Sequence, residues 1–144
     1  MKLSHILYKS NNLSEAVKQF EEEGFKVEYG SKYNPSNALI YFSEGPYIEI
    51  LEKAPISNFL MIILRLIGKT HLVKRFKSWK NAHEGYFDIC LENHKNDFDE
   101  EVQILKEHKE YYFITKSKRL DTLNRLLTWK LLFPNNLNLP FFMT

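Results

Sequence analysis

Lys2-Leu3-Ser4-His5-Ile6-Leu7-Tyr8 and Tyr47-Ile48-Glu49-Ile50-Leu51 are the two stretches on which the fold turns. Both alternate in the period-2 pattern of a half-buried strand. Leu3, His5 and Leu7 share one face of the first; Tyr47, Glu49 and Leu51 share one face of the second. Between them Asn12 reads as a helix N-cap with Glu15 at the third helical position, a capping-box arrangement. The helix carries Ala16, Val17, Phe20 and Glu21 and stops at Gly24, a residue suited to the left-handed end of a helix. Phe25 to Tyr29 makes a short alternating strand, Gly30 to Ser36 a polar loop, and Asn37 to Phe42 a strand tied to the last by Ser43-Glu44-Gly45-Pro46. The order over residues 2–52 is βαβββ. Should its two polar-bearing faces line one concave surface, the His5 imidazole and the Glu49 carboxylate converge, and these are donor types for a divalent metal.

A second, degenerate copy starts at Gly85, about 80 residues on, a spacing that suggests duplication at the level of pattern. Tyr86 to Glu92 alternates like the first strand, and Asn96 is placed to cap a helix from Asp97 to His108. Tyr111 to Ile114, Leu126 to Phe133 and Pro140 to Thr144 supply the three remaining strands, the last of them short enough to suggest a longer native chain. Residues 53–84 lie between the copies. Phe59 to Ile67 is strongly apolar; after Gly68, Leu72, Phe76 and Trp79 recur at i, i+4, i+7. Six basic residues and no acidic one fall between Ser57 and Lys80, so the segment reads as helix with a bend at Gly68.

The chain has 144 residues, 44% hydrophobic and 15% aromatic, which suits one folded domain with a proper core. A net charge of +2 makes no electrostatic case for nucleic acid. The lone Cys90 excludes an internal disulfide, suits a reducing compartment and reads as a structural thiol. Met1 to His5 lacks the apolar core of a signal peptide, and Phe59 to Ile67 is far shorter than the ~20 residues of a membrane span. A cytoplasmic location is the expectation, with a membrane the less favoured partner. Gly-rich phosphate loops, Cys-x-x-Cys, His-Glu-x-x-His and Gly-x-Ser-x-Gly are all missing.

The order His5, Leu13-Ser14-Glu15-Ala16, Glu23-Gly24-Phe25, Asn37 to Phe42 and Tyr47-Ile48-Glu49 resembles a glyoxalase-like domain of the vicinal-oxygen-chelate superfamily. The resemblance covers residues 2–52, returns more weakly at 85–92 and 117–143, and is absent over 53–84. It implies an α+β fold in which two βαβββ modules (1–52 and 85–144) form a half-barrel cup, with the helical segment 53–84 inserted between them. It also implies a divalent metal, Zn, Ni, Mn or Fe, held by two ligands from each module. The first pair falls on His5 and Glu49, and Asp88 stands where the second module would repeat His5. The repeat of Glu49 lands on Met143, and residues 136–144 hold no carboxylate. Beside the metal reading stands a plainer one, in which His5 and Glu49 hydrogen-bond each other and satisfy two buried polar groups.

On the concave face Leu3, Leu7, Tyr41 or Phe42, Tyr47, Leu51 and Tyr86 would form an aromatic wall suited to a small organic ligand, or simply core. Arg119, Arg125 and Lys130 are candidates to bind a carboxylate or phosphate on it. Arg119 and Trp129 lie in the stretches Ser117-Lys118-Arg119 and Thr128 to Pro134, where the family resemblance returns. The substrate-binding set is therefore Tyr47, Tyr86, Arg119, Arg125 and Trp129, with Glu49 or Tyr47 as general base. Three functions are open: a metal-dependent enzyme of the lyase, isomerase or oxygenase type, a metal-free protein that binds or sequesters a small molecule, and a module that docks on a membrane or partner through residues 57–80. The favoured place for residues 57–80 is over the cup or a homodimer seam, with the apolar run buried and the Lys and Arg side chains solvated.

Overall fold

The alternating runs form strands and the apolar stripes form helices in the computed structural model, which describes residues 1–54, 56–120 and 123–144. β1 (Lys2–Lys9) leads to α1 (Leu13–Glu22), β2 (Val27–Tyr29), β3 (Asn37–Ile40) and β4 (Tyr47–Leu51). Next come α2 (Asn58–Leu66) and α3 (Thr70–Asn81), then β5 (Gly85–Glu92), α4 (Asp99–Glu107), β6 (Tyr112–Leu120), β7 (Leu126–Pro134) and β8 (Phe141–Met143). All eight strands join one sheet in the order β2-β3-β4-β1-β5-β8-β7-β6. In each half the first strand lies parallel to the last, β1 beside β4 and β5 beside β8, and the halves meet along the antiparallel β1–β5 pair. The sheet curls until its two edges touch. Arg119 on β6 donates from Nη1 to the Gly30 carbonyl just past β2, at 3.0 Å. The architecture is thus an α+β half-barrel cup.

Strand alternation assigns the two faces. Ile48 and Ile50 of β4 turn outward and pack with Ala38 and Ile40 against Leu13, Val17 and Phe20 of α1. Tyr47 and Glu49, one step out of phase, turn inward. Asn12 caps α1, its Oδ1 accepting from the Ser14 and Glu15 amides at 3.1 and 3.2 Å, and Gly24 at φ +93 releases the chain. Ser57 caps α2 through Leu60 N, and Gly68 at φ +76 makes the turn between α2 and α3.

Several expectations are corrected. Asn96 does not cap α4, which starts at Asp99 with Phe98 at its cap position. Asn93 instead holds the preceding turn, accepting from Lys95 N and donating to the Asp97 carbonyl and to Glu101. β3 stops at Ile40, and β6 runs on to Leu120 because it pairs with β7 along its whole length. The insertion differs most from its expected packing. Only Met61 of α2 is buried, while Phe59, Leu66 and Ile67 are 73%, 81% and 62% exposed. A helix apolar on every side can present only one side to the sheet. α3, with a single apolar stripe, takes the interior: Leu72, Val73, Phe76 and Trp79 pack with Leu7, Phe133 and Phe141 on the concave side. Among the described residues no helix is long and apolar enough to cross a membrane.

Candidate functional site

The parallel register of β1 and β4 sets His5 beside Tyr47 and Leu7 beside Glu49, so the two polar groups lie diagonally across neighbouring strands. His5 Nε2 is 3.5 Å from Glu49 Oε2. The other carboxylate oxygen accepts from Asn37 Nδ2 at 2.7 Å, across the β3–β4 pair. Behind the imidazole, Nδ1 lies 3.2 Å from the Ser4 hydroxyl, which also reaches Met143 Sδ at 3.3 Å. When the Ser4 proton goes to sulfur, Nδ1–H donates to Ser4 and the Nε2 lone pair meets a protonated Glu49. When it goes to Nδ1, Nε2–H donates to the carboxylate. The Tyr47 ring stacks on the imidazole at 4.7 Å and 22°, and Phe141 meets it edge-on at 5.6 Å.

This group forms one wall of a cavity of about 440 Å³. Leu7, Leu39, Leu131 and Phe141 make it largely apolar, while Arg119 and Trp129 face in from the β6–β7 hairpin, and Lys53 also borders it. Burial governs the electrostatics. It pulls the His5 pKa down to about 4, so the ring is neutral near pH 7. Burial also raises the Glu49 carboxyl above its ordinary range, against the lowering effects of the Asn37 hydrogen bond and the Arg119 charge. The Tyr47 phenol is raised too, by burial first and by Glu49 second, so it stays protonated at neutral pH. The site therefore offers a carboxylate that holds its proton readily, a neutral imidazole, and the guanidinium of Arg119 as a nearby positive charge.

His5, Tyr47, Glu49, Arg119 and Trp129 come together here. Tyr86 does not. A register irregularity between Leu7 and Tyr8 pairs Tyr86 with Tyr8, and the two rings meet edge-on at 5.2 Å on the α1 side of the sheet. Arg125 lies just before β7 and does not border the cavity. Asp88 is on the concave side but is engaged by α3: Oδ2 accepts from Trp79 Nε1 at 2.6 Å and lies 3.7 Å from Arg75 Nε. Asn37, which orients Glu49, was not among the sequence candidates. Its signal is the period-2 run Asn37, Leu39, Tyr41, all three on the cavity wall. Ser4 gave none, since its role depends on a strand distant in sequence.

A hard divalent cation wants several oxygen or nitrogen donors at once. Among the described candidate ligands only His5 and Glu49 converge; Asp88 is held by α3, and the thioether of Met143 stands beside Ser4. Among the described residues no three His, Cys, Asp or Glu side chains are grouped to hold a metal. The donor set does not fit such an ion.

A cup curled from two βαβββ halves, with its polar centre on the first and last strands of one half, defines the vicinal-oxygen-chelate fold class. The sequence profile described as glyoxalase-like domain matches residues 3–144, and the chain belongs to that family. Among solved structures, methylmalonyl-CoA epimerase from Streptomyces coelicolor is similar at 13% identity and a TM-score of 0.55, over 99% of this chain and 94% of that one. That structure is a glutamate-to-glutamine variant in complex with 2-nitronate-propionyl-CoA. A methylmalonyl-CoA epimerase in complex with methylmalonyl-CoA and NH4+ matches at 13% identity and 0.55, over 99% and 91%. A hypothetical protein from Bacillus halodurans C-125 matches at 16% identity and 0.53, over 99% and 91%. At these identities the likeness shows the fold. No curated protein matches the sequence.

Proposed function

We propose that the cup binds a small organic acid or carbonyl compound and that Glu49 moves a proton to and from its carbon skeleton. The observation that carries this reading is the position of Glu49 on the cavity wall. One oxygen is fixed by Asn37, the other faces a neutral His5, and burial raises its proton affinity. A carboxylate so placed is matched to proton abstraction near neutral pH better than a solvated one. In the step itself the Glu49 carboxylate takes a proton from the carbon next to a carbonyl. The C–H electron pair becomes the C=C bond of an enolate as the carbonyl π pair moves onto oxygen; a proton returned to the same face restores the substrate, and one delivered from water to the opposite face inverts the carbon. The charge of Arg119 would favour both an anionic ligand and the enolate. The epimerase neighbours support this class of chemistry by fold. Because the donor set does not fit a metal, no step runs through one.

A metal-free protein that sequesters the same kind of molecule is the second reading, favoured by the apolar walls. One experiment separates the two. A panel of small carboxylic and 2-oxo acids is screened by thermal shift, and hits are incubated in D2O and followed by proton NMR, with wild type beside Glu49→Gln. Binding by both proteins with deuterium wash-in only for wild type is the expected result. Binding without exchange in wild type leaves the sequestering protein, and no stabilisation by any acid sinks the cup as an organic-acid site.

A further inference from the structure

We infer that α2 is a docking surface for an anionic membrane, lying flat in the lipid interface with its outer side toward the acyl chains. None of its residues lines the cup, so this role is independent of the reading given above.

Two features single the helix out. The first is the direction of its apolar face. At 3.6 residues per turn, Ile62, Leu66, Phe59, Ile63, Ile67 and Leu60 follow one another around the α2 axis in an arc of roughly 160°. All six are exposed. The buried Met61 falls opposite the middle of that arc, so the helix rests on the core through Met61 and turns its apolar face outward. A helix packed on a soluble domain ordinarily has the reverse arrangement. Contiguous exposed apolar side chains mark a contact surface, whereas scattered single ones do not.

The second feature is the charge around that face. Residues 53–83 hold no Asp or Glu, and Arg65, Lys69, Lys74, Lys77 and Lys80 are all exposed. Arg65 borders the apolar arc on the side of Ile62, and Lys69 stands just past the turn into α3. Lys80 reaches the other end of α2, where Nζ donates to Asn58 Oδ1 at 2.9 Å. Cations thus stand at both ends of the helix and along one edge. Apolar side chains can then enter the boundary between headgroups and acyl chains while Lys and Arg meet lipid phosphates. Isologous pairing of two copies through this face would instead set two basic rims against each other with no carboxylate to offset them. The charges therefore select an anionic surface over a second copy. The nine residues of α2 measure only about 13 Å, less than half the hydrocarbon thickness, so the helix lies on a bilayer and does not cross it.

Co-sedimentation of the full chain with vesicles of phosphatidylglycerol and phosphatidylcholine, beside vesicles of phosphatidylcholine alone, tests the surface. Two variants at exposed positions decide it, Phe59→Ser with Leu66→Ser and Arg65→Gln with Lys69→Gln, each checked for an unchanged thermal melt. Wild type is expected to pellet with the anionic vesicles and to stay in the supernatant with phosphatidylcholine. Partitioning should fall about tenfold or more in each variant. Wild type that pellets with neither vesicle, or equally with both, overturns the proposal. Anionic binding that survives the Phe59 and Leu66 changes also overturns it, since the charges alone would then hold the protein. A wild-type dimer that Phe59→Ser with Leu66→Ser converts to monomer, without vesicle binding, overturns it in favour of a seam between two copies.

Discussion

Asn37 donates its side-chain amide to Glu49 Oε1 at 2.7 Å, and this bond, ahead of the Arg119 charge, opposes burial in setting the proton affinity of the carboxyl. Replacement of Asn37 by Ala removes a donor to the charged form and leaves the desolvation in place. The Glu49 pKa therefore moves up. The pH at which proton transfer switches on should rise with it, while maximal turnover falls because the carboxylate is no longer oriented. A pH–rate profile, or carbon NMR titration of the Glu49 carboxyl, reads the shift. An unchanged or lower value would mean that the Asn37 contact does not act on Glu49.

His5 gives stability a dependence on pH with a definite sign. Its folded pKa is depressed to about 4 from an unfolded 6.5. Between these values the unfolded chain binds more protons, so stability is full above pH 6.5 and is lost as pH falls toward 4. The difference corresponds to about 3 kcal/mol. Glu49 works in the opposite direction: its raised pKa costs stability as pH rises past its unfolded value. Urea unfolding from pH 7 to 4 should show declining stability for wild type and a flatter profile for His5→Gln. Equal slopes would show that His5 is not the titrating group.

Gly30 keeps the cup closed without any unusual backbone angle. A Cβ there would lie 2.1 Å from Asn37 Oδ1 and 2.7 Å from Arg119 Nη1. Both are ends of side chains that can swing away, so Gly30→Ala should cost only about 1 kcal/mol in stability. The displaced groups are, however, the one that orients Glu49 and the one that bridges the sheet edges. Ligand affinity is expected to fall about tenfold or more with little change in Tm, by paired thermal melts and ligand titration. A large loss of Tm with unchanged affinity would reverse this assignment.

The local pattern made the fold legible because each signal was satisfied locally. Alternation in residues 2–8 and 47–51 placed His5, Tyr47 and Glu49 on one wall, and the caps at Asn12 and Gly24 fixed α1. What could not be read depended on partners far along the chain. Tyr86 left the cup through a register irregularity opposite Tyr8, and no single strand's sequence announces where its neighbour slips. The Phe59 to Ile67 run looked like buried helix from hydrophobicity alone. α3 had the better-defined stripe and took the interior, leaving α2 mostly uncovered.

Removal of metal should leave the cup's ligand binding intact, since among the described His, Cys, Asp and Glu side chains only His5 and Glu49 meet there. Protein purified without chelators, then treated with one, is expected to bind organic acids with unchanged affinity. Near-stoichiometric Zn, Ni, Mn or Fe lost in both His5→Ala and Glu49→Ala would contradict this and restore a chelate mechanism.

Arg75 and Asp88 form a buried pair whose members depend on each other. Their side chains are 1% and 12% exposed, with Nε and Oδ2 at 3.7 Å. Burial depresses the Arg75 pKa and raises that of Asp88, each opposed by the partner's charge. Arg75→Met leaves Asp88 buried with only the Trp79 indole and the Ile89 amide, and should cost about 3 kcal/mol or more. Asp88→Asn keeps an acceptor for Trp79 and should cost less. The informative double variant is Arg75→Met with Asp88→Leu, which removes both charges and fills the space with apolar atoms. Its stability by urea unfolding should exceed that of Arg75→Met alone, because the uncompensated carboxylate is gone. A loss in the double variant equal to the sum of those in the single variants Arg75→Met and Asp88→Leu would mean that the two residues do not interact.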